Sequence, residues 1–135
     1  MAESCYAFNP LDIIKCENVI LEFLQWRALV PTCSEYLKHI LFLANPYQDF
    51  TEMVLKANHH IFKALFCYDL CIFNFSSIAI SSLLCVCDEL GYENFSNGLI
   101  ELINAENLPF KMREVLECKA LIMYLSTEEE TVDAV

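Results

Sequence analysis

Between Asp69 and Asp88 the chain runs for eighteen residues without a formal charge, LCIFNFSSIAISSLLCVC. A run of this kind has to leave water, either into a bilayer or into the core of a folded domain. Its length barely reaches a spanning helix, it carries Asn74 and four serines, and two aspartates bracket it tightly. Its middle, Asn74-Phe75-Ser76-Ser77, reads as a break followed by a helix start. The run is therefore expected to supply a tightly sheathed helix of a folded domain, and not a membrane span.

The rest of the chain agrees with an all-α domain. Apolar types make up 56% of 135 residues, enough for a core, and only two glycines and four prolines are present, too few for a hairpin-rich β fold. Six helical segments are expected from the 3.6-residue period. The first runs from Leu11 to Trp26 behind a loose lead-in of residues 1–10. The second opens at Pro31-Thr32, with Thr32 and Glu35 spaced as a capping box, and stops before Asn45-Pro46. The third, Asp49 to Asp69, starts at Asp49 or Thr51 and is apolar so broadly that it reads as the centre of a bundle. The fourth has Ser76 as its N-cap, Ile78–Leu90 as its body and Gly91 as its C-terminal stop. Short helices are expected over Ser96–Asn104 and Lys111–Leu125, and the last ten residues, STEEETVDAV, read as a frayed acidic tail.

Charge and chemistry narrow the function. Eight Lys and Arg stand against nineteen Asp and Glu, a net charge of -11, and the basic residues are scattered singly. Nucleic acid and anionic membrane are not expected as partners; a basic protein surface is compatible. No secretion signal is visible at Met1-Ala2-Glu3-Ser4-Cys5, so the eight cysteines are expected to be reduced thiols of an intracellular protein of the nucleus or cytoplasm. Cys67 with Cys71 and Cys85 with Cys87 have the wrong spacing for zinc knuckles, and Cys33 lacks a neighbouring base in sequence. His59-His60 point about 100° apart on a helix and read as ordinary surface or boundary residues; His39 sits one turn from Glu35, a surface pair. Asp88-Glu89 and Glu128-Glu129-Glu130 lie at a helix end or in the tail, where carboxylates are usually solvated. No metal, cofactor or catalytic residue is expected: the chain reads as one that binds and does not react.

Three stretches together resemble the cyclin family. Glu17–Trp26, continuing into Arg-Ala-Leu-Val-Pro31-Thr32 and then Tyr36-Leu37, is similar to the last helix of a first cyclin fold, the interfold linker and the opening of the second fold. Asp69 to Leu83, with Ser76 and the Ile78-Ala79 pair, resembles the Pro-Ser-x-Ile-Ala opening of a buried cyclin helix, although Phe75 replaces the proline. Glu89-Leu90-Gly91-Tyr92, with Leu99 and Leu102, resembles the end of that helix and the short fourth helix of the fold. Cys118 is similar in position to a cysteine often seen in the fifth helix.

The resemblance spans residues 11 to 125. It implies a cyclin-like five-helix fold over 31–125, preceded by one extra linker helix over 11–30 and succeeded by the acidic tail 126–135. It also implies a non-catalytic protein that binds a partner, a cyclin-dependent kinase in the family's usual role. Most of a first fold, with its kinase-contacting residues, has no counterpart in the chain, which fits either a piece of a larger cyclin or a half-cyclin. Two other readings remain open: a helical adaptor without a kinase partner, and a thiol-based metal protein or enzyme. Phe23, Leu24 and Trp26 are the candidate interface or core residues; Thr32, Glu35, Ser76 and Gly91 are the structural ones.

Overall fold

A computed structural model describes residues 7–105 and 111–133, with side chains as far as residue 128. Residues 1–6 of the expected lead-in, and the side chains of Glu129 and Glu130, lie outside the described residues. The described chain is all-α: α1 (Pro10–Phe23), α2 (Cys33–Ala44), α3 (Thr51–Leu65), α4 (Phe75–Leu90), α5 (Glu93–Ala105) and α6 (Met112–Asp133), with a 3-10 turn at Tyr68–Leu70. It divides into two compact units that meet in sequence between Val30 and Pro31.

The first unit holds α1. Asn9 caps it, accepting the Leu11 N–H at 3.0 Å, and Pro10 takes the first helical position, where its missing N–H costs nothing. The helix stops three residues before Trp26. Gln25 N–H bonds to the Glu22 carbonyl (3.0 Å) and Trp26 N–H reaches back to Leu21 (2.8 Å), a Schellman closure. Gln25 and Trp26 both adopt left-handed backbone, with φ of 54° and 59°. Nothing in the sequence announces this stop, because neither residue is glycine.

The second unit is built around α4. Every residue from Ser77 to Cys87 is buried, and the helix packs against α2, α3, α5 and α6. The uncharged run explains this: a helix without a charged face can be enclosed on all sides. The close approach of α6 rests on a small residue, Ser81. Its hydroxyl lies 2.6 Å from the Ser77 carbonyl and 2.8 Å from the Val115 carbonyl, two acceptors for one proton. Among the described residues no helix is long and apolar enough to cross a membrane. The uncharged run is divided, since Leu70 belongs to the 3-10 turn and α4 begins only at Phe75.

Several boundaries differ from expectation. The centre of the bundle is α4, not α3: α3 buries Met53, Ala57, His60, Ile61 and Ala64, but leaves Leu55, Phe62 and Leu65 exposed. Its apolar breadth is two opposite faces, not one enclosed cylinder. Ser76 is not the N-cap of α4. Asn74 is: its backbone is extended and its carbonyl accepts the Ile78 N–H at 3.0 Å, so Phe75 and Ser76 are already helical. The Asn74 amide nitrogens turn to Glu114 on α6 at 3.5 Å instead of capping. Phe50 precedes α3 with no side-chain cap; Asp49 binds the Thr51 N–H and hydroxyl just outside the helix. Finally, α6 does not end near Leu125 but continues to Asp133, because no glycine or proline comes after Pro109 to stop it.

The ends of α2 and α4 have the chemistry their residues suggest. Thr32 Oγ1 accepts the Glu35 N–H at 3.3 Å while Glu35 Oε2 accepts the Thr32 N–H at 2.8 Å, a reciprocal box. This occupies the Glu35 carboxylate that sequence spacing paired with His39. At the other end of the core, Gly91 has φ 71° and closes α4 as Tyr92 N–H bonds to the Cys87 carbonyl at 2.8 Å.

Candidate functional site

The residues of the first unit that sequence singles out are all at the surface. α1 carries no buried residue. Phe23 is 87% and Trp26 66% exposed, and Leu24 is exposed too, so none of the three is a core residue. Leu24 alone lines a groove of about 510 Å³ along α1, with Phe8, Ile13, Cys16, Ile20 and Leu21, and with Asp12 and Glu17 beside them. Phe23 lies outside that groove, and the left-handed turn at Gln25 and Trp26 carries Trp26 away from the helical period. A lone helix of this length is marginal in water, and its apolar side chains need a cover.

In the second unit, the acidic end of α4 clasps two neighbours. Glu89 Oε1 lies 2.7 Å from His60 Nε2 on α3, and Asp88 Oδ2 lies 2.6 Å from Lys119 Nζ on α6. Consecutive helical residues diverge by about 100°, so the two carboxylates address different helices. These are structural fastenings rather than the solvated carboxylates that sequence reading assigns. His60 is likewise not a surface residue: it is 5% exposed, and its Nδ1 is buried without a partner.

The thiols are placed for packing. Among the described residues the cysteines are free, and Cys33, Cys85, Cys87 and Cys118 are buried. Burial pushes the Cys85 thiol up to about 12, against the opposing pull of Lys119. It pushes Cys87 and Cys118 up to about 11 and raises Cys33 as well. Such thiols stay protonated at neutral pH and behave as small apolar groups. Among the described residues no group of three or more His, Cys, Asp or Glu could hold a metal ion.

The surface that sequence reasoning missed is on α2 and α3. Phe62 and Phe66 lie ring to ring at 4.8 Å on the outward side of α3, and both are exposed. At its N-terminal end a groove of about 360 Å³ opens between α2 and α3, with Leu41, Phe50 and Val54 lining it beside Phe42 and Leu55. The signal that could have found it is the charge on α3: Glu52 and Lys56 deny the helix a central place, so half of its apolar residues must face outward. Compared with known proteins, the chain matches no family model, no curated protein and no solved structure.

Proposed function

We propose that this protein is a non-catalytic, cyclin-like protein-binding module, related to the regulatory subunit of a cyclin-dependent kinase. The observation that carries the reading is the arrangement of the second unit. Of its five helices the third, α4, bears the Ser76–Ile78-Ala79 opening and is enclosed by the other four. The sequence resemblance implies a buried helix at that place in the order. The thiols, held protonated by burial, support a binding role over a nucleophilic one.

Titration of the purified full chain against a panel of purified cyclin-dependent kinases, by calorimetry, tests the reading. A stoichiometric complex with at least one kinase is the expected result. A folded protein that binds none of them overturns the kinase assignment and leaves the second reading, a helical adaptor with a different partner. That alternative is favoured by one observation: the first unit offers a single helix, whereas the resemblance places the main kinase contact in a full first fold.

A further inference from the structure

The outward face of α3 is apolar in a way its own fold does not use. At 100° per residue Leu55, His59, Phe62 and Phe66 fall within about 60° of arc, opposite the buried Met53, Ala57 and Ala64. Leu55, Phe62 and Phe66 are each 62 to 79% exposed. The stripe runs about 16 Å along the helix axis. At Leu55 it is continuous with the α2–α3 groove, whose other wall is Phe42 and whose rim carries Lys38. Single exposed apolar residues are common, but a contiguous aromatic stripe joined to a groove marks an interaction surface.

The charge around this surface selects its occupant. Residues 36–66 hold Lys38, Lys56 and Lys63 against Asp49 and Glu52, together with all three histidines; the remaining chain has five bases against seventeen acids. Asp49 is already bound by Thr51. Within a screening length of about 8 Å at physiological salt, an incoming group therefore meets local positive charge, although the whole chain is negative. A second copy is a poor fit, since it would oppose the same lysines and bring together two chains of net charge -11. A helix surface has no unpaired backbone groups for an added strand, whereas a partner helix satisfies its own backbone and presents side chains at matching intervals.

We infer that the outward stripe of α3, with the adjoining α2–α3 groove, is a docking surface for an acidic amphipathic helix of a partner protein. Leu55, Phe62 and Phe66 supply the apolar contact, and Lys38 and Lys56 select the acidic flanks. The inference is independent of the kinase reading and stands or fails whatever a kinase titration shows.

The test uses the full chain and two synthetic eighteen-residue helices of about five turns. Both carry leucines at three- and four-residue intervals; one is flanked by glutamates and the other by lysines at the same positions. Fluorescence anisotropy should show the glutamate peptide binding at least tenfold more tightly than the lysine peptide. The double variant Phe62→Ser/Phe66→Ser should weaken it at least tenfold, and Lys56→Glu should reduce the preference for glutamate. These side chains are exposed, so unchanged circular dichroism and melting are expected; if the serine variant fails to fold, Leu55→Lys replaces it. Absence of binding up to about 1 mM overturns the inference. So does equal binding of the two peptides, binding indifferent to the substitutions, or self-association of the chain that Phe62→Ser abolishes.

Discussion

His60 Nε2 lies 2.7 Å from Glu89 Oε1, so a buried ring on α3 is fastened to the last turn of α4. The carboxylate accepts, so this nitrogen donates and Nδ1 is left as a buried acceptor without a partner. One unmade hydrogen bond is already tolerated here; losing the second should be felt. Glu89→Ala is expected to cost about 1 kcal/mol or somewhat more. His60→Leu removes both polar nitrogens while keeping bulk, and should be close to neutral. In the His60→Leu background the Glu89→Ala penalty should vanish. Urea unfolding of the four proteins checks this, and strictly additive effects would show that the pair contributes nothing.

The two proposed helix caps should separate cleanly. Thr32 makes its bond to the Glu35 N–H, and Thr32→Ala is expected to destabilise the second unit by about 1 kcal/mol. Ser76 lies inside α4 and caps nothing, so Ser76→Ala should fall within about 0.5 kcal/mol of the parent protein. Chemical denaturation of both variants measures the contrast. A larger loss at Ser76 than at Thr32 would mean that α4 starts later than Phe75.

The chain's two glycines should respond to the same substitution with opposite signs. A Cβ at either position meets nothing within 4 Å, so sterics do not enter. Gly91 sits at φ 71°, where an L side chain is strained, and Gly91→Ala should cost about 1 kcal/mol. Gly98 lies within α5 and lacks any such φ; Gly98→Ala should stabilise by about 0.5–1 kcal/mol by restricting the unfolded chain. Thermal unfolding of the two variants side by side tests the sign, and a shared direction would contradict the backbone assignment at one of them.

Legibility in the sequence tracks the strength of the local chemistry. Thr32 with Glu35, Asn45-Pro46 and Gly91 are ends dictated by hydrogen bonds and backbone preferences of single residues, and they lie where those preferences put them. The buried helix was legible as an absence of charge. The end of α1 was not, because it is made by Gln25 and Trp26 in left-handed conformations that no residue type advertises. The length of α6 was hidden by its acids, which suggest solvent exposure but do not forbid a helix. The candidate surface on α3 was hidden by the helical period itself. Phe62 and Phe66 recur at helical spacing just as Ile61 and Ala64 do, and only packing shows which pair is inside. His60 and Glu89 are separated by 29 positions, a tertiary pairing with no local signature.

The buried thiols set how stability should depend on pH. An unfolded cysteine ionises near about 8.5, whereas burial holds Cys87 and Cys118 at about 11 and Cys85 at about 12. Below about pH 8 both states keep these protons, and the thiols contribute no pH dependence. Above about pH 9 the unfolded chain releases protons that the folded chain retains, so folding loses free energy as pH rises. The slope is at most about 1.4 kcal/mol per pH unit for each such thiol, and it ends as pH passes the folded values of about 11 to 12. Urea midpoints should therefore fall steeply between about pH 9 and pH 10.5. Cys85→Ala should start from a lower stability, because it leaves a cavity, yet show a shallower fall. The same burial orders reactivity towards a thiol reagent at neutral pH. Exposed Cys16 and Cys71 should react promptly, and Cys33, Cys85, Cys87 and Cys118 only after denaturant is added. Prompt reaction of the buried four, or a pH slope identical in the Cys85→Ala variant, would show that α4 is not sealed by its neighbours.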